Sequence, residues 1–191
     1  MKNFTIVVLL SGNGSNLQAI IDRIHAENWP ITIAAVISNN PNAYGLVRAQ
    51  TATIPTHILT PKSFVDSHCY HEALQACIDA YHPDLIVLAG YMRILTPDFV
   101  NYYANKIINI HPSLLPKYQG LHTYERALAA SETQHGISIH IVTPELDSGP
   151  ILAQHVIDIA PNETVASLQA KIKTLEHQFY PEAIYRFLTE K

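Results

Sequence analysis

Residues 4–24 constrain this chain most. FTIVVLL, residues 4–10, is an unbroken apolar, β-branched run that reads as a buried strand. SGNGSN follows at residues 11–16, and Leu17, Ile20, Ile21 and Ile24 then recur at helical spacing. Strand, glycine turn and helix make the first unit of a doubly wound α/β fold. Gly12 and Gly14 let backbone approach a ligand closely, and the free N–H groups of a helix start favour an anion. The turn is not G-x-G-x-x-G, because Leu17 stands where the last glycine belongs. The next strand ends Ile37, Ser38, Asn39, Asn40, with no acidic residue for a ribose. The pattern therefore favours a single phosphate over a dinucleotide, with a plain tight turn as the alternative.

The remaining chain continues the alternation. Residues 31–37 predict a strand, 43–51 a helix, 55–59 a short strand and 66–81 a helix with Tyr70, Leu74 and Cys77 among its apolar positions. DLIVLA, residues 84–89, is apolar throughout its middle, as a central parallel strand should be. GYMRILTP, residues 90–97, reads as a loop with bulky residues that grips something flat or apolar; Met92, Ile94 and Leu95 as plain core is the alternative. Thr96 and Pro97 suit the N-cap and first position of the next helix. A strand at 106–110 and a helix at 123–130 follow. Residues 136–142 alternate, Ile137, Ile139 and Ile141 against Ser138 and His140, which predicts a half-buried strand in the less parallel half of the sheet. Residues 151–159 predict another strand. Asn162 is expected to cap a long last helix with a stripe of Val165, Leu168, Ile172, Leu175 and Phe179, and Lys173 and Glu176 beside it. No repeat or linker interrupts residues 1–191, so one domain is expected.

Composition narrows the function classes. Apolar residues make up 48% and charged residues 15%, which argues for a packed globule. The net charge of −4 offers no basic footprint for nucleic acid. Cys69 and Cys77 form neither C-x-x-C nor a disulfide framework, and a reducing cytoplasm is the simplest setting. Lys2 and the apolar run after it mimic a signal peptide, but the run is short and no small-x-small site follows. No run reaches membrane-spanning length. Eleven histidines raise the question of a metal; His68 with His71, or His135 with His140, are possible ligands, yet none forms H-E-x-x-H or a Cys/His zinc pattern. No metal is expected.

Three polar residues call for a purpose. Asn109 and His111 lie two apart on an apolar strand that Pro112 ends, so an amide and an imidazole share a face where the strand breaks. Asp147 sits in the loop TPELDSGPIL, residues 143–152. A carboxylate orients an imidazole and favours its charged form, and an amide N–H can hold a developing oxyanion. Together they suit acyl or proton transfer without a protein nucleophile. Ser113 is near, but no G-x-S-x-G elbow surrounds it. A backbone-bonded His111 and a turn-forming Asp147 are the structural alternatives.

IVVLLSGNGSNLQAII, LAGYMRIL, NIHPSLLPKYQGLHT and TPELDSGPIL, in that order, resemble the phosphoribosylglycinamide formyltransferase family, the small folate-dependent form within the wider formyltransferase group. The likeness covers nearly the whole chain. It implies a Rossmann-like, doubly wound, mostly parallel sheet with helices on both faces. It implies transfer of a formyl group from 10-formyltetrahydrofolate to the glycyl amine of glycinamide ribonucleotide in de novo purine (IMP) biosynthesis, by a cytoplasmic monomer or homodimer that uses no metal and binds neither nucleic acid nor membrane. A formyltetrahydrofolate deformylase, or another formyltransferase on the same core, is the alternative. By the resemblance, Gly14, Ser15 and Asn16 hold the substrate phosphate, and Lys173 and Glu176 touch the phosphoribosyl part. Met92, Arg93, Ile94 and Leu95 line the folate pocket, which Asn109 also touches; Thr143, Pro144, Glu145, Leu146 and Asp147 form the opposite folate loop. Asn109, His111 and Asp147 are the catalytic set. Two departures stand out: Ser67 where some relatives carry an arginine that meets the folate's glutamate tail, and Lys173 where some carry glutamine.

Overall fold

The first strand sets the architecture. In a computed structural model that describes residues 2–190, β1 (Phe4–Leu10) lies inside a seven-stranded sheet of order β3-β2-β1-β4-β5-β6-β7. Side chains alternate across a strand. Ile6, Val8 and Leu10 therefore enter one core with α1 (Ser15–Glu27), α2 (Tyr44–Thr51) and α6 (Val165–Thr189), while Val7 and Leu9 enter a second core with α3 (Ser67–Asp79) and α4 (Pro97–Tyr102). Both faces of β1 are covered, which is why its sequence is apolar throughout.

β2 (Ile31–Ser38), β3 (Thr56–Ile58), β4 (Leu85–Leu88) and β5 (Ile107–His111) join β1 as parallel strands. The chain winds outward from β1 to β3, then returns to place β4 on the other side of β1. Order reverses between β1 and β4, and the crevice beyond their carboxyl ends is the ligand position such a sheet creates. After α5 (Thr123–Ala129), β6 (Gln134–Ile141) and β7 (Ile151–Asp158) close the sheet antiparallel to their neighbours. No helix among the described residues is long and apolar enough to cross a membrane.

Two expectations need correction. The Ser138/His140 side of β6 is not half-exposed: both residues are buried. Loop 112–118 covers Ser138, whose Oγ donates to the Ser113 carbonyl (2.7 Å) and accepts from Leu115 N–H (2.9 Å), while Asn109 and Asp147 lie against His140. Asn162 does not cap the last helix. Thr164 does, accepting from Ser167 N–H (3.1 Å) while Ser167 Oγ accepts from Thr164 N–H (3.0 Å), a reciprocal box with serine in place of the usual acid. Thr96 and Pro97 take the expected N-cap and first position of α4. The expectation of one domain also spans Met1 and Lys191, which lie outside the described residues.

Candidate active site

Residues from two strands, β5 and β6, and from the loops that follow them meet at the carboxyl edge of the sheet. Asn109 and His111 close β5. Opposite Asn109 across the antiparallel β5–β6 pairing stands His140. Asn109 Nδ2 lies 3.3 Å from His140 Nε2, and His140 Nδ1 lies 3.0 Å from the Ile141 carbonyl. A carbonyl only accepts, so Nδ1 carries the ring proton and Nε2 accepts from the Asn109 amide. Burial holds His140 below the ordinary histidine range, against the pull of that carbonyl and Asp147, so the neutral ring is the one that serves.

Asp147 is delivered by the loop between β6 and β7. Gly149 makes the delivery possible: a Cβ there would come 1.8 Å from the Ile141 carbonyl oxygen. The loop thus folds flat on the end of β6 and carries Asp147, at φ 48°, back over β5. Its carboxylate is nearly enclosed. Oδ2 lies 3.4 Å from His111 Nδ1 and accepts from Gly120 N–H at 2.9 Å; Oδ1 lies 3.7 Å from His140 Nε2. His111 Nε2 donates to the Tyr118 carbonyl (2.9 Å), which leaves Nδ1 facing the Asp147 carboxylate. Ser113, far from being a nucleophile, donates its hydroxyl to the Lys117 carbonyl (2.7 Å) and braces the loop.

These groups form one end of a cavity of about 660 Å³. Met92, Arg93, Ile94 and Leu95 line it on one side, and Thr143, Pro144, Leu146 and Asp147 on the other, with Asn109, His111 and His140 between. Met92 and Ile94 are 68% and 73% exposed, so they are wall rather than core; Leu95, at 7%, is packed beneath them. Arg93 lies over the Tyr70 ring, 4.6 Å from its centre, and Met92 N–H donates to Ser11 Oγ (2.7 Å), which ties this wall to the end of β1. Glu145 is exposed and does not line the cavity. A neighbouring hollow of about 510 Å³ is bounded by Ser67 and the segment from Met92 to Pro97. Among the described residues, no group of three or more His, Cys, Asp or Glu gathers to hold a metal.

The anion turn is a separate element. Gly14, at φ 74°, is the N-cap of α1, so the N–H groups of Ser15 and Asn16 belong to the helix's open first turn. Asn16 is 9% exposed; its Nδ2 donates to Glu176 Oε2 at 2.9 Å, while its Oδ1 has no partner. Burial raises the Glu176 carboxyl above its ordinary range, against the Asn16 bond and Lys173. Lys173 itself is exposed. None of these five residues lines the cavity, but Tyr124 does, and Glu176 is close enough to raise its phenol further. The turn and the cavity are therefore neighbours around the end of β1.

Sequence reasoning missed His140 as a site residue, along with the Tyr118 carbonyl and Gly120 N–H. The signal for His140 was its placement on the same face as Ser138, polar on an otherwise apolar strand.

A sheet-edge cavity that gathers an amide, an imidazole and a buried carboxylate suits an α/β group-transfer enzyme. The chain belongs to the formyl transferase family, whose profile matches residues 4–184. It is 48% identical over 182 residues to phosphoribosylglycinamide formyltransferase of Escherichia coli (strain K12), covering 95% of this chain and 86% of that one. It is 37% identical over 183 residues to the trifunctional purine biosynthetic protein adenosine-3 of Homo sapiens, of which it covers 18%. Phosphoribosylglycinamide formyltransferase from Coxiella burnetii, solved in complex with CHES, superposes with a TM-score of 0.94 at 53% identity, over 97% of this chain and 87% of that one.

Proposed function

We propose that this transferase moves the formyl group of 10-formyltetrahydrofolate to the glycyl amine of glycinamide ribonucleotide in purine biosynthesis. The observation that carries the reading is the convergence of Asn109, His111 and Asp147 on one end of the large cavity. Its volume and its exposed apolar wall at Met92 and Ile94 suit a pterin and its benzoyl neighbour. Gly14, Ser15 and Asn16 cradle the substrate phosphate at the start of α1, and Lys173 and Glu176 flank the ribose. Met92, Arg93, Ile94 and Leu95 with Thr143, Pro144, Leu146 and Asp147 enclose the folate, and Glu145 is exposed on the same loop. We place the enzyme in the cytoplasm: Cys69 and Cys77 are free thiols, and eight residues apart on α3 they stand about 12 Å from one another, beyond disulfide reach.

The folate supplies a formyl group on nitrogen, and the chain's residues govern its transfer. The substrate amine forms a bond to the formyl carbon as charge builds on the formyl oxygen. One N–H of Asn109 Nδ2 is held by His140; the other meets that oxygen, a donor worth about 3 kcal/mol in a dry site. His111 donates to the same oxygen by exchanging the Tyr118 carbonyl for it, while Asp147 keeps the ring aimed. The carbon–nitrogen bond to folate then breaks, and the proton lost by the amine reaches the folate nitrogen through water held by Asp147. Holding both substrates in line supplies much of the remaining acceleration.

Turnover of formyl-tetrahydrofolate with and without glycinamide ribonucleotide tests the reading. Turnover that depends on the ribonucleotide is the expected result; equal rates would instead describe a deformylase that hands the formyl group to water.

A further inference from the structure

The outer side of the anion turn is built by α2. Gly45 N–H donates to the Gly12 carbonyl at 3.1 Å. Gly14 and Gly45 pack backbone to backbone, since a Cβ on Gly14 would come 2.5 Å from Gly45 Cα. One turn further along α2, Arg48 reaches back over the turn. Its Nε donates to the Asn13 carbonyl (2.9 Å), its Nη2 to Asn13 Oδ1 (3.2 Å) and its Nη1 to Gln18 Oε1 on α1 (3.3 Å). The guanidinium rests on the Tyr44 ring, 4.9 Å from its centre, which restrains it further.

Peptide planarity converts these contacts into orientation. The peptides of the turn are trans, and in a trans peptide the carbonyl and the next residue's N–H point in opposite directions. With the Gly12 carbonyl drawn to Gly45, Asn13 N–H faces away from α2. With the Asn13 carbonyl drawn to Arg48, Gly14 N–H does the same. Two donors are thereby added to those of Ser15 and Asn16 at the start of α1.

We propose that Arg48 is a positioning residue for the phosphate of the ribonucleotide substrate: it holds the Asn13–Gly14 peptide with its carbonyl outward, so that the turn presents its N–H groups inward. This rests on the reading of Gly14, Ser15 and Asn16 as the phosphate cradle. Arg48 acts through the turn, with three donors engaged on it and on Gln18. A lysine retains the charge but cannot reproduce the fork that grips a carbonyl and a side-chain amide together.

Steady-state kinetics of the full chain, Arg48→Gln and Arg48→Lys test this, each with glycinamide ribonucleotide and with the riboside that lacks the phosphate. Arg48→Gln should raise KM for the ribonucleotide about tenfold or more, with kcat and KM for formyl-folate within about twofold. The preference for ribonucleotide over riboside should shrink by the same factor. Arg48→Lys should keep a defect of about threefold or more. An unchanged KM in Arg48→Gln, or complete rescue by lysine, overturns the positioning role. So does a parallel loss of kcat, formyl-folate affinity and riboside turnover, which marks general damage. If the parent chain itself treats ribonucleotide and riboside alike, the phosphate reading fails and the proposal with it. If the parent discriminates and both Arg48 variants match it, the phosphate reading stands and only the role of Arg48 is lost.

Discussion

Asn109 donates to His140 across 3.3 Å, between side chains that face each other on strands paired antiparallel. The bond fixes which way the amide points, because His140 is itself held by the Ile141 carbonyl. His140→Leu should therefore lower kcat about tenfold by freeing the amide to rotate, and Asn109→Leu should cost about 10²–10³ by removing the donor outright. Single-turnover rates of the two variants check the order. Equal losses, or a larger loss at His140, would contradict the assignment of the donor to Asn109.

Stability should depend on pH through the buried histidines. Burial pushes both His135 and His140 below their ordinary value of 6.5. Below that value the unfolded chain takes up protons that the folded chain refuses, so stability is complete above about pH 6.5 and is lost as pH falls. Glu176 has the opposite sign: its raised carboxyl keeps a proton longer when folded, and its contribution fades as pH rises above 4.5. Two enclosed rings against one carboxyl predict a falling melting temperature between about pH 7.5 and 5.5. His135→Gln should flatten that slope, which thermal melts across the range will show.

Gly14→Ala should damage the anion turn specifically. The residue sits at φ 74°, and the added methyl would meet Gly45 Cα at 2.5 Å, a contact backbone cannot evade without moving α2. Strain of this kind costs about 1–3 kcal/mol. The expected result is a lower melting temperature together with a raised KM for the ribonucleotide and an unchanged KM for formyl-folate.

Ser67 bounds the hollow beside Met92 and Arg93. Ser67→Arg places a cation where a polyglutamate tail would extend from the folate. KM for polyglutamylated formyl-folate should fall severalfold at low salt and much less at high salt, since exposed charges are screened within about 10 Å at 0.1 M.

Local pattern made the parallel half of the sheet legible. β1, α1 and β4 followed from apolar periodicity, and Asn109 and His111 from being polar on an apolar strand that ends in proline. Asp147 followed from its loop and from the family's motif. What escaped depends on pairing between distant segments. His140 matters because β6 runs antiparallel beside β5, and Tyr118 contributes a carbonyl, which no side-chain pattern records. The last helix carried an overlooked signal: Leu168, Ile172, Glu176, Tyr180, Ile184 and Leu188 recur every four residues and all are buried. Glu176 belongs to that ridge rather than beside it, which is why it meets Asn16 inside the protein. Arg48 was silent in the sequence because its partners are turn atoms of another unit, met only once α2 folds against them.

The direct test of the account is the kinetics of Asp147→Asn, measured with both substrates. Asparagine keeps the shape and removes the charge beside His111. The account predicts that kcat falls by about 10² or more while both KM values stay within about threefold. A variant with normal kcat and weakened binding of the ribonucleotide would contradict it, because Asp147 would then hold substrate rather than govern the transfer.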